Sequence, residues 1–249
     1  MDIHLLGSTG YHPNQRRHTF CLMMPEIGVV VDAGTALFRA RPLIETDSLD
    51  ILLTHAHLDH VVGLTFLYDV LYGRSLDRVT VHGQLDKLQA IEQHLFAELI
   101  FPVAPPFQSQ PLAEPLALGG AVVTWFPLSH PGGSVGYRFD WEQASLAIVT
   151  DTTAAADAEY IEHIRGVDLL IHECYFGDEY AEFAAKTGHS HTTPVAQLAA
   201  AAAVKSLVLV HVNPLDESDD PVGIETARRI FPNTTLGEDE MVLRLPIST

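Results

Sequence analysis

An apolar run at residues 49–54 breaks directly into His55-Ala56-His57-Leu58-Asp59-His60. Three histidines and an aspartate therefore fall within six positions, at the end of what reads as a buried strand. In an extended or tightly turning loop, His55 and His57 point to the same side and can hold one metal ion together. Asp59 and His60 lie one turn further on, at the start of the next helix, and can reach a second ion. Imidazole and carboxylate ligands without thiolate suit Zn²⁺, with Mn²⁺ or Fe as substitutes. The plainer alternative, a histidine-rich polar loop, leaves further histidines and aspartates at other strand ends unexplained.

Short apolar runs recur along the chain and alternate with turn residues and helical stretches. Strands are expected at residues 3–6, 20–23, 28–32, 50–54, 78–82, 121–127, 136–139, 146–150, 168–172 and 206–211. Helices are expected at 60–71, 84–97, 157–165, 179–186, 194–204 and 221–230, the fifth opening on Thr193-Pro194. Residues 102–120 carry five prolines and two glycines and read as a bridge, poor in helix or strand. The chain is thus read as one domain, 1–249, of two half-domains at roughly 1–100 and 121–249. Two mixed β-sheets packed together and covered by helices on both outer faces, an α/β sandwich in four layers (αββα), satisfy that order.

Hydrophobic residues make up 47% of the chain and charged residues 18%, a globular balance. No apolar run reaches the ~18 residues needed to span a bilayer, so no membrane partner is expected. The start lacks a basic region followed by a long apolar one, and Cys21 and Cys174 are too few for a disulfide framework. A cytoplasmic protein is expected. Fourteen Lys and Arg against 32 Asp and Glu give a formal charge of −18, which repels long nucleic acids but leaves room for a small anionic substrate drawn to local metal ions.

The pattern His55-x-His57-x-Asp59-His60 after a strand resembles the signature of the metallo-β-lactamase superfamily, and "MDIHLLGSTG" and "VVVDAGTA" fall where that family has its first glycine loop and its Asp-x-Gly turn. The resemblance implies the αββα sandwich and a two-metal site along one edge of the sheets. By that resemblance "FPLSHPGGSVGYRF" supplies His130 to the first metal, together with His55 and His57. "LAIVTDTT" supplies Asp151 as the bridging ligand, and "SLVLVHVNP" supplies His211 to the second metal beside Asp59 and His60. A hydroxide between the ions would be the nucleophile, and Asp59 counts among the catalytic residues. Asp32 is expected to stabilise its own loop.

Two further stretches resemble the ribonuclease Z branch. "LLIHECYF" matches its His-Glu-Ala-Thr stretch and "HTTPVAQLAAAA" its His-Ser-Thr stretch. The resemblance implies that Glu173 orients His191, which sits over the scissile phosphate; His189, two residues earlier, is the alternative in that place and a substrate-binding candidate. Arg138, just beyond His130, is a candidate phosphate partner. Ribonuclease Z has a long arm for transfer RNA between the positions of His130 and Asp151, where this chain has twenty residues. The expectation is therefore a two-metal phosphodiesterase acting on a small or short phosphodiester. The alternatives are a metal-dependent acyl hydrolase (lactonase, thioesterase or β-lactamase-like) and a ribonuclease Z-like transfer RNA nuclease. By analogy with that branch, a homodimer is expected.

Overall fold

Alternation along the strands decides which face each one buries. In the computed structural model, which describes residues 1–112 and 115–247, Leu49, Ile51 and Leu53 pack outward under helices while Leu52 packs inward between the sheets. Likewise Leu146 and Ile148 face inward while Ala147 and Val149 face outward. A strand that carries apolar residues on both faces must be covered on both, and this produces four layers.

Among the described residues the strands form two seven-stranded sheets. The first contains β1 (Asp2–Gly7), β2 (Cys21–Met24), β3 (Val29–Val31), β4 (Ser48–Leu52), β5 (Arg78–Gly83), β6 (Gln108–Pro111) and the last strand, β14 (Met241–Arg244). Their order is β14-β1-β2-β3-β4-β5-β6. The second contains β7 (Leu116–Leu118), β8 (Ala121–Leu128), β9 (Ser134–Asp140), β10 (Ser145–Val149), β11 (Leu169–Glu173), β12 (Leu207–Val210) and β13 (Thr234–Leu236), in reverse order from β13 to β7. Both sheets mix parallel and antiparallel pairs. The helices are α1 (Leu58–Val61), α2 (Leu67–Val70), α3 (Leu85–Ala90), α4 (Ile161–Ile164), α5 (Ala181–Thr187), α6 (Thr192–Ala201) and α7 (Ile224–Ile230). None of the described helices is long and apolar enough to cross a membrane.

The ten expected strands are all present. The bridge at 102–120 is not free of strand, however: it holds β6 and β7, the edge strands of the two sheets. Edge positions tolerate proline because one row of backbone groups needs no partner. Strand β14 returns to pair with β1, so the first sheet draws on both ends of the chain. The helix expected at 60–71 is α1 and α2 joined by a 3₁₀ stretch, Val62–Phe66. Helix α6 begins at Thr192 with His191 at its N-cap position. The Thr193 hydroxyl and amide both donate to Asp178, which satisfies the helix start from outside.

Strands β4, β8, β10, β11 and β12 all end along one edge of the sandwich. Three hydrogen bonds tie the sheets together there: Val135 N–H to the Thr54 carbonyl (3.0 Å), the Tyr137 hydroxyl to the Leu53 carbonyl (2.7 Å) and the Thr150 hydroxyl to the Thr54 hydroxyl (3.2 Å).

Candidate metal centre

Four residues of the His/Asp cluster follow strand ends, and His57, Asp59 and His60 lie at the start of α1 or within it. His55 comes after β4, His130 after β8, Asp151 after β10 and His211 after β12. Asp151 and His211, with Asp32 after β3, adopt left-handed backbone with φ of 54°, 56° and 57°. That conformation costs a non-glycine residue roughly 1–2 kcal/mol, so packing around all three must impose it. Gly10 is equally constrained: a Cβ there would lie 2.3 Å from Cε1 of His211.

Three overlapping groups of ligand atoms result, the third being Asp151, His189 and His211. Atoms of His55, His57, His130 and Asp151 lie within 4.8 Å of one another, as do atoms of Asp59, His60 and His211. The Asp151 carboxylate stands between them. Its Oδ1 is 3.8 Å from His55 Nε2 and 3.6 Å from His130 Nε2, while its Oδ2 is 3.1 Å from His60 Nε2 and 3.4 Å from His211 Nε2.

The outward nitrogens fix the inward ones. His60 Nδ1 donates to Asp32 Oδ2 (2.8 Å) and His130 Nδ1 donates to the Gly188 carbonyl (3.0 Å). His55 Nδ1 meets the Thr54 hydroxyl (3.0 Å), which itself donates to Asp32 (2.8 Å). These contacts leave the Nε2 lone pairs of the three rings aimed inward. Asp32 therefore does more than hold its loop, because it orients His60. The Tyr11 N–H donates to Asp59 Oδ2 (2.7 Å) and brings the first glycine loop to the mouth of the site.

Charge and burial together favour a cation. Burial pushes the imidazolium forms of His55, His57 and His130 below the usual histidine range, leaving neutral ligands. Burial would lower His60 too, but Asp151, Asp59 and Asp32 outweigh it and raise its pKa well above the usual value. Asp151 and Asp59 are both held well below the carboxylate range: burial opposes this, and the surrounding histidines prevail. His60 Nε2 and His211 Nε2 lie only 3.1 Å apart, and buried His55 Nε2 and Asp151 Oδ2 have no hydrogen-bond partner. Orphaned acceptors in such a site are costly unless a cation satisfies them. The residues fit divalent metal.

A cavity of about 440 Å³ opens over the cluster, lined by Tyr11, His57, Asp59, His130, Asp151, His189 and His211, among others. His189 enters it beside Glu173. The Glu173 carboxylate is fully buried; Oε1 accepts from His189 Nδ1 (3.1 Å) and Thr152 N–H (2.7 Å), and Oε2 accepts from Ser190 N–H (3.1 Å). Tyr175 stacks on the His189 ring at 4.5 Å. Burial works against the charged form of His189, but Glu173 overcomes it and raises the pKa.

Two expected assignments need correction. His191 does not line this cavity: its Nδ1 donates to Asp178 (2.7 Å), so Asp178, not Glu173, holds it. The left-handed turn at Gly188 (φ 76°) ends α5 and delivers His189 to the site, whereas His191 is drawn into the start of α6. Arg138 is likewise occupied elsewhere. Its Nε donates to Asp140 (2.8 Å) and its Nη1 to the carbonyls of His163 and Arg165 (2.9 and 3.1 Å), which leaves it no place at the cluster.

A family model described as the beta-lactamase superfamily domain matches residues 28–212. This chain belongs to the β-lactamase superfamily. Within it the chain is a metal-dependent hydrolase of the ribonuclease Z-like branch. It is 29% identical to "Ribonuclease Z" of Azobacteroides pseudotrichonymphae over 97% of this chain and 98% of that protein. A "Ribonuclease Z" of Parasynechococcus marenigrum is 42% identical, but over only 40% of this chain and 32% of the relative's length. Among solved structures, the metallo-β-lactamase-fold protein YhfI of Bacillus subtilis superposes with a TM-score of 0.81 at 18% identity, covering 97% of this chain and 98% of that one. The last likeness concerns the fold.

Proposed function

We propose that this chain is a two-metal phosphodiesterase acting on a small or short phosphodiester. The observation that carries the reading is the pairing of a split donor set with a histidine–carboxylate pair in one cavity. His55, His57, His130 and Asp151 Oδ1 would hold one divalent ion, and Asp59, His60, His211 and Asp151 Oδ2 the other. Zn²⁺ suits these donors best, with Mn²⁺ or Fe as substitutes. When bound, such ions supply a nucleophile at neutral pH and neutralise charge on phosphate oxygens.

The remaining demand of phosphodiester cleavage is a proton for the leaving oxygen. His189 is placed to give it. Glu173 fixes the ring through Nδ1 and favours its protonated form, and a ring nitrogen of His189 lies within 4.8 Å of Asp151 and His211 ligand atoms. Tyr175 and the Glu173 contacts keep the ring from turning away. Relatives named ribonuclease Z over nearly the whole chain favour phosphodiesters over acyl substrates. Transfer RNA cleavage is the second reading on the same ground. Against it stand the net charge of −18 and the segment from His130 to Asp151, which holds only β9 and β10.

The test is turnover of bis(p-nitrophenyl) phosphate beside a chromogenic lactam, a lactone and a precursor transfer RNA, with Zn²⁺ or Mn²⁺ restored. Metal-dependent phosphodiester turnover supports the reading, and loss in His189→Ala of turnover of a phenyl phosphodiester, whose leaving group needs a proton, with unchanged metal content supports the acid role. Turnover of the acyl substrates alone overturns the reading.

A further inference from the structure

The motif at residues 55–61 has two faces. His55, His57, Asp59 and His60 turn toward the cluster, while Ala56, Leu58 and Val61 line a second cavity of about 270 Å³. Ile91, Leu95 and Ile100 form its other wall. Leu58 borders both cavities, so the second opens directly beside the first. Leu58 and Ile100 are each 69% exposed, two large aliphatic side chains left in water at the rim. Contiguous exposed apolar surface beside a reactive centre marks a place where something apolar is covered.

The local backbone adds an independent sign. The helix α3 widens into a π-helical turn over Ile91–Leu95, the segment that supplies Ile91 and Leu95 to the groove. Such turns occur mostly in single-turn form at functional sites, because they displace the side chains that follow. The chemistry of the walls then narrows the occupant. His94 is the one polar side chain among the lining residues, and neither a cation nor an aromatic ring of Phe, Tyr or Trp lines the groove. His94 alone could meet a phosphate, a sugar or a base, and the other seven lining side chains, all aliphatic, offer such groups nothing. An aliphatic chain finds burial on both sides.

We propose that this groove is a substrate subsite that takes an apolar, alkyl-like substituent of the molecule whose phosphate lies at the metal centre. The proposal rests on the phosphodiesterase reading only in placing that phosphate. An apolar chain starting from the cluster would pass Leu58 into the groove, so substrates with such a substituent are selected over bare phosphodiesters.

The experiment is calorimetric binding of n-alkylphosphonates, methyl to hexyl, to the full chain with Zn²⁺ restored. The expected result is a Kd that falls by about fourfold per methylene, the value of burying one such group, with a clearly flatter series in Ile100→Asp. A flat series in the wild-type protein, or no binding by any member, overturns the proposal. If the series is flat and Ile100→Asp instead converts a dimer to a monomer in sedimentation, the groove is an interface between copies of this chain. The two readings fail separately. Hydrolysis of bis(p-nitrophenyl) phosphate with a flat series sinks the subsite alone, and a falling series without phosphodiester hydrolysis sinks the phosphodiesterase alone.

Discussion

Replacing Glu173 by Gln isolates the proton-donating role of His189. In the native protein the buried carboxylate accepts three hydrogen bonds: from His189 Nδ1 and Thr152 N–H on one oxygen and from Ser190 N–H on the other. A glutamine can keep the first two with its carbonyl, but its amide then faces the Ser190 N–H. That mismatch leaves a buried donor unpaired and costs about 1–3 kcal/mol of stability. At His189 a charged acceptor becomes a neutral one, which weakens its hold on the protonated ring by roughly 1 kcal/mol. Because Glu173 raises the His189 pKa, its removal must lower it, and the acidic form is lost at lower pH. The assay is kcat against pH for aryl methyl phosphodiesters of graded leaving-group acidity. The phenyl ester should slow by about fivefold, the equivalent of ~1 kcal/mol, while the p-nitrophenyl ester, which leaves without a proton, changes by less than about twofold. The alkaline limb of the phenyl profile should move to lower pH. Equal slowing of both esters, with no movement of that limb, would refute the acid role and leave Glu173 as a structural group.

Three other outcomes follow from the geometry. His191→Ala should change kcat by less than about threefold, since the ring is held by Asp178 outside the cavity; a loss comparable to general-acid removal, ~100-fold in steady-state assays, would restore His191 to the reaction. Asp32→Asn replaces the charged acceptor that orients His60 with a neutral carbonyl, and equilibrium dialysis should show metal affinity falling by about 10–100-fold. Away from the site, Asp50 is buried with Arg78 and His82 on its carboxylate; burial works against the anion, but these partners lower its pKa from 3.8 to about 2. A depressed carboxyl stabilises the fold above its unfolded pKa and loses that contribution as pH falls through the folded one. About 2 kcal/mol should therefore disappear between pH 4 and pH 2 in denaturant titrations, and an Asp50→Asn variant should lack that component.

The layers were legible in the sequence because apolar alternation and strand-end polar residues are local signals. Strands such as β10 and β12 announce both their burial and the residue that leaves them, Asp151 or His211. Edge strands β6, β7, β13 and β14 are short, and a strand buried on fewer sides carries a weaker pattern. The six histidines and aspartates expected to hold metal, with Asp151 between them, do come together in space. What the motif could not supply was side-chain direction. His189 and His191 are two residues apart in one polar stretch, and only the turn at Gly188 and the competing carboxylate of Asp178 separate their fates. Arg138 misled for the same reason: its distance in sequence from His130 is small, but β9 carries it away along the strand to Asp140. Residues whose contribution is a backbone approach, such as Gly10 against His211 and Tyr11 against Asp59, left no chemical signature in their side chains.

If the ligands on the two sides of Asp151 bind metal together, hydrolysis must depend on both. Zinc content per chain, measured by mass spectrometry after dialysis and paired with turnover of bis(p-nitrophenyl) phosphate, tests that dependence most directly. Two ions per wild-type chain are expected, one with His55, His57 and His130 and one with Asp59, His60 and His211. Asp151→Ala is expected to lose metal and turnover together. Full turnover by metal-free protein, or an Asp151→Ala variant that keeps both its ions and its activity, would contradict that dependence.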